Sequence, residues 1–105
     1  MSIDVDIDNL YIRLVDVEWD PAKNSANQKK HRIPFEIAFR VFEGPHLEFE
    51  DDRQAYEEPR FSVLGEVEGR LVFLTYTIRG AKRRIISARK ATKNERKAFY
   101  TRVYG

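Results

Sequence analysis

Apolar side chains recur at spacings of three and four near the start of this chain and at spacings of two further on. Residues 11–17 (Tyr-Ile-Arg-Leu-Val-Asp-Val) are β-branched and aromatic and stop at Trp19-Asp20-Pro21, which predicts a strand followed by a helix start. The Asp20 carboxylate can accept the first orphan N–H groups, and Pro21 suits a position that has no N–H bond to lose. This helix runs to about His31 and is almost wholly polar. A second helix follows Ile33-Pro34, with Phe35, Ala38, Phe39 and Phe42 as its apolar stripe, and Gly44-Pro45 ends it. Residues 47–50 alternate as a strand, and 51–59 read as an acidic connecting loop. Residues 60–67, 70–78 and 83–89, joined at Glu68-Gly69 and around Gly80, predict an antiparallel meander. Thr92 then caps a helix from Lys93 to about Arg102, with Glu95 completing a capping box.

Tight two-residue turns would fix the meander's register and sort its side chains onto two faces. One carries Phe61, Val63, Val72, Leu74, Tyr76, Ile78, Ile85 and Ser87 and belongs under the helices. The other carries Arg60, Ser62, Leu64, Phe73, Thr75, Thr77, Arg84 and Ile86. On it Arg60, Thr77 and Arg84 fall in one cross-strand row, with Arg79 close by. Cations placed opposite one another repel, so the row suits an anion such as phosphate above it. The plainer reading is that these arginines splay into solvent or pair with the acidic segment 48–58.

At 105 residues the length allows one domain, here 11–105, with residues 1–10 expected to be a mobile extension. No cysteine is present, which excludes a disulfide framework, a thiolate metal site and a cysteine nucleophile. Two histidines make a zinc site improbable, so no metal and no cofactor is expected. No apolar run approaches the length of a membrane span, and the acidic start is the reverse of a signal peptide, so a cytoplasmic protein that avoids membranes is expected. The net charge of +2 conceals segregation: residues 1–20 carry −5, 43–58 carry −6, and 79–105 carry +9. Ten Lys/Arg against one Glu in that last block is an electrostatic footprint for nucleic acid or an acidic partner.

Trp19-Asp20-Pro21-Ala22-Lys23-Asn24, Asn27, Lys30-His31, Ile33, Phe35-Glu36, Ala38 and Val41-Phe42 form an ordered pattern. It resumes with Arg60, Gly65, Gly69-Arg70, Tyr76-Thr77, Arg79, Ile85-Ile86-Ser87-Ala88-Arg89-Lys90-Ala91 and Glu95-Arg96. Over about residues 17–100 this resembles the BrnT family of toxins. The resemblance implies an α+β, RelE-like fold, with two N-terminal helices on an antiparallel meander and a C-terminal helix. It implies a ribonuclease toxin of a bacterial type II toxin–antitoxin pair that inhibits translation. An RNA substrate and a BrnA-like antitoxin would be its partners, with DNA met only through the antitoxin complex and a dimer within that complex. The family usually has Gly after Lys-His, where this chain has Arg32, so a different turn is expected there.

Metal-independent RNA cleavage must deprotonate a 2′-hydroxyl, stabilise charge on the phosphoryl oxygens and protonate the departing 5′-oxygen. Guanidinium groups stay charged and fork onto two phosphate oxygens, which makes Arg60, Arg79 and Arg84 candidates for the transition state. Arg89 and Lys30 are candidates for RNA contacts, and Tyr76 for stacking or proton donation, although its face is the helix-covered one. For the general base the residues offered are His31, Lys30, Glu57 and Glu58. A binding module that holds nucleic acid or an acidic protein without cutting it would share the same charges.

Overall fold

The computed structural model describes residues 16–52 and 57–105. The expectations for residues 1–10, and for the strand's start at 11–15, lie outside them. The described chain runs β1 (Val17–Glu18), α1 (Pro21–His31), α2 (Phe35–Ala38) continuing as a 3₁₀ turn (Phe39–Phe42), β2 (His46–Asp51), β3 (Arg60–Val67), β4 (Arg70–Arg79), β5 (Lys82–Lys90) and α3 (Lys93–Tyr104). The architecture is α+β, with one five-stranded sheet ordered β1-β5-β4-β3-β2.

β3, β4 and β5 form the expected antiparallel meander, β2 adds to it antiparallel to β3, and β1 joins the edge of β5 in parallel, so the sheet is mixed. The β3–β4 turn places Glu68 and Gly69 at φ 51 and 77, the positive pair that a type I′ turn requires. Asp51, expected in the loop, is the last residue of β2 and pairs with Arg60.

Asp20 caps α1, accepting from the Ala22 N–H at 2.8 Å. Arg32 ends the helix at φ 60 and ψ 28, and its N–H reaches the Gln28 carbonyl at 2.8 Å. The arginine therefore adopts the left-handed conformation that favours glycine at a helix end. The second helix is shorter than expected: one α-turn, then 3₁₀. In this tighter winding Val41 and Phe42 are both buried. Val41 sits against Gly65 of β3, where a Cβ would lie 3.0 Å from the Val41 carbonyl oxygen, so any larger residue would have to push the two backbones apart by a few tenths of an ångström.

Each face of the sheet has its own core. Ile33, Phe35, Ala38, Val41 and Phe42 bury Val63, Leu74, Tyr76, Ile85 and Ala88 on one face. On the other, α3 lays Phe99 over Leu64, Leu71 and Phe73. Two expectations for the first face fail. Ile78 is 52% exposed, being beyond the helices' cover. A bulge between Thr75 and Tyr76 leaves Ile86 unopposed, so Ala88 instead of Ser87 enters the core. The capping box of α3 forms as expected, Glu95 N to Thr92 Oγ1 at 3.2 Å and Thr92 N to Glu95 Oε1 at 2.8 Å.

Candidate functional site

The helix α3 covers only part of its face, and beyond it lies the arginine row. The register sets Thr77 of β4 between Arg60 of β3 and Arg84 of β5, as the two-residue turns require. The row continues to both edges of the sheet: Arg60 faces Asp51 of β2, and Arg84 lies beside Glu18 of β1. Five strands thus contribute an acid, an arginine, a threonine, an arginine and an acid.

A cleft of about 340 Å³ opens over this row. Arg60, Thr77, Arg79 and Arg84 form its floor and wall, Ile86 lines it at the bulge, and Glu57, Glu58 and Lys23 complete it. Three strands, the segment before β3 and the first turn of α1 converge here. Arg79 Nη2 is 3.3 Å from Glu58 Oε1, and Arg84 Nη1 is 3.6 Å from Glu18 Oε2. Thr77 donates its hydroxyl to the Pro59 carbonyl at 2.7 Å, which ties the start of β3 to the floor. The pairing of arginines with acidic residues is therefore present, and it draws on Glu18 as well as on the segment before β3.

The structure does not bring the other candidates into the cleft. Tyr76 is 2% exposed on the opposite face, stacked on Phe61 with ring centroids 5.3 Å apart and donating to Glu48 at 2.8 Å. Burial pushes its phenol up to about 12; the bonded Arg83 guanidinium opposes that rise and the Glu48 carboxylate adds to it. Arg89 shares the arginine face but grips Glu95 through two bonds of 2.8 and 3.0 Å, with its guanidinium 4.1 Å over the Phe73 ring. Arg89 holds the Glu95 carboxyl below the usual carboxylate range. Lys30 and His31 end α1, seven and eight residues from Lys23, or about 11–12 Å along the helix.

Sequence reasoning overlooked Lys23 as part of the cleft and Glu18 as the neighbour of Arg84. Lys23 carries a readable signal, since it lies in the first turn of a helix whose cap, Asp20, directly follows a strand. Glu18 enters only through the parallel β1–β5 pairing. Asn24 and Asn27 of the same stretch are structural. Asn24 accepts from Phe35 N at 2.9 Å and donates to Glu36. Asn27 bonds β5, donating to the Ala88 carbonyl at 2.8 Å and accepting from the Ala88 N–H at 3.1 Å.

Among the described residues no three histidine or carboxylate side chains gather closely enough to hold a metal ion. No described helix is long and apolar enough to cross a membrane. What the cleft offers is fixed positive charge with carboxylates beside it, an arrangement that can bind a phosphodiester and move a proton next to it. A family model described as the ribonuclease toxin BrnT of type II toxin–antitoxin systems matches residues 19–95, more than half of the chain. That span contains every residue that lines the cleft, and Glu18 lies just before it. No curated protein matches the sequence.

Proposed function

The chain belongs to the BrnT family of ribonuclease toxins of type II toxin–antitoxin systems, and from that membership we propose that the arginine cleft is where it cleaves RNA, without a metal ion. The observation that carries the reading is the convergence of Arg60, Arg79 and Arg84 from three adjacent strands on one cleft. An RNA phosphate there meets guanidinium groups held by the sheet, which stabilise the charge that builds on the phosphoryl oxygens as the 2′-oxygen attacks. Glu57 and Glu58 are the carboxylates at hand to take the 2′ proton, and the Lys23 ammonium can supply one to the departing 5′-oxygen. The P–O5′ bond breaks as the P–O2′ bond forms, leaving a 2′,3′-cyclic phosphate and a 5′-hydroxyl. His31, Lys30, Tyr76 and Arg89 have no part in this step. Lys30 remains a basic group along which RNA could extend.

The proposal extends to a RelE-like fold, a cytoplasmic toxin that inhibits translation, and a BrnA-like antitoxin that neutralises it, with the family membership as its support. DNA is met only through the antitoxin complex, in which the toxin is a dimer. The test is incubation of the purified protein with labelled single-stranded RNA and EDTA. Fragments with cyclic phosphate ends are expected. Activity abolished by chelation and restored by a divalent ion would refute the metal-free mechanism. No cleavage under any condition, ribosomes included, would leave a module that binds without cutting.

A further inference from the structure

The opposite edge of the sheet from Glu18 is β2, bounded by β3 on one side and by no described strand on the other. Its side chains alternate by face. Leu47 and Phe49 point toward α3, and Glu48 and Glu50 point the other way, alongside Val63 and Phe61. Phe49 is 46% exposed although its ring lies edge-on to Phe73, with centroids 6.1 Å apart. A largely apolar groove of about 480 Å³ runs beside the strand, walled by Leu47, Phe49, Leu64 and Ala98. The backbone edge, the apolar groove and the row of glutamates are three recognition elements on one strand.

We propose that β2 is the attachment strand for the antitoxin, which adds an extended segment to its outer edge. The segment's side chains alternate apolar and basic: apolar ones drop into the groove beside Leu47 and Phe49, and Lys or Arg ones meet Glu48 and Glu50. Main-chain bonds to the edge give such an addition its affinity, and the alternation gives its specificity. Charge complementarity selects the occupant. In a second copy of this chain, antiparallel pairing centred on Glu48 or Phe49 sets glutamate opposite glutamate, which disfavours self-association and favours a basic partner strand. The partner's identity rests on the family membership, and the mode of attachment rests on β2 alone, independent of the chemistry in the arginine cleft.

The probe is a terminally blocked peptide as long as β2, six residues, alternating Val and Lys. Its control has the same composition with the lysines grouped together. Hydrogen exchange and amide shifts are followed across the protein. The expected result is slowed exchange confined to Leu47–Glu50 with the alternating peptide, several-fold weaker for Glu50→Lys and for Phe49→Ser. Both side chains are exposed, so both variants should fold, and RNA cleavage should be unchanged in each. Equal protection by the grouped control, no dependence on Glu50, or protection that rises with protein concentration alone would each overturn the proposal. If cleavage fails while β2 is protected, only the arginine-cleft reading falls.

Discussion

Asn27 is the one buried residue of α1, 8% exposed in a helix that otherwise faces water. Beyond Glu18 the outer edge of β5 has lost its partner strand, and the Asn27 carboxamide takes over where β1 stops. It accepts from the Ala88 N–H at 3.1 Å and donates to the Ala88 carbonyl at 2.8 Å, as a peptide group of a further strand would. Its amide also donates to the Ile33 carbonyl at 3.1 Å, which fixes the turn after α1. Asn27→Ala removes three bonds and leaves three backbone groups in a site too enclosed for easy hydration. At about 1 kcal/mol per bond, with part of the desolvation cost of each orphaned group added, the loss comes to about 3–5 kcal/mol. Domains are stable by about 5–15 kcal/mol, so the variant should be close to unfolding. Urea denaturation at neutral pH measures this directly. Asn27→Asp separates hydrogen bonding from packing, because it keeps the acceptor but turns a carboxylate toward two carbonyl oxygens. Its folded-state pKa should rise above the unfolded value, so the variant should be least stable at neutral pH and regain stability as pH falls through that raised pKa. A loss below about 1 kcal/mol for Asn27→Ala would refute the argument.

Arg60→Ala and Arg84→Ala should each slow RNA cleavage about tenfold or more, since an oriented cation at a developing charge is typically worth a few kcal/mol. The stability of Arg84→Ala should shift by less than about 1 kcal/mol because its ion pair with Glu18 is part exposed; early melting with full specific activity would show that the arginine is structural. Arg32→Gly should stabilise the protein by about 1 kcal/mol in thermal melts, because a non-glycine residue is held at φ 60. Ultraviolet titration should find one of the five tyrosines ionising only near pH 12. A phenol raised in the folded state favours folding fully below its ordinary value near 10, and that contribution is lost as pH climbs toward 12. Tyr76→Phe should remove both the late titration and that alkaline loss.

Much of the sheet was legible because two-residue turns convert sequence spacing into register. From the turn after Arg79 the arithmetic holds out to the Tyr76–Ile85 pair and places Arg60, Thr77 and Arg84 together. It fails one residue later, at the bulge, because an unopposed Ile86 costs the local pattern nothing that a sequence displays. The caps at Asp20 and Thr92 were equally readable, being short-range chemistry. The parallel pairing of β1 was not: residues distant in sequence meet there, with no turn to fix how. Arg89 illustrates the limit for site residues. Its charge reads as a nucleic-acid contact, but Glu95, already required for the capping box, has a second oxygen available to hold it.

The same reasoning explains why so much positive charge can sit on one sheet. Two arginines flanking a threonine across adjacent strands would destabilise a sheet if nothing opposed them. Here the row ends in Asp51 on one edge and Glu18 on the other, and Glu58 meets Arg79 from the segment before β3. These acids come from the two acidic blocks of the sequence, so the charge segregation along the chain becomes neutralisation across the fold. The contacts to Arg79 and Arg84 are 3.3 and 3.6 Å long and part exposed, which makes each weak. A phosphate entering the cleft can therefore share or displace these carboxylates at small cost, whereas the tighter pair between Arg89 and Glu95 would resist it. The distinction separates charge held ready for a ligand from charge used up in the fold, and it falls along the line where α3 stops covering the sheet.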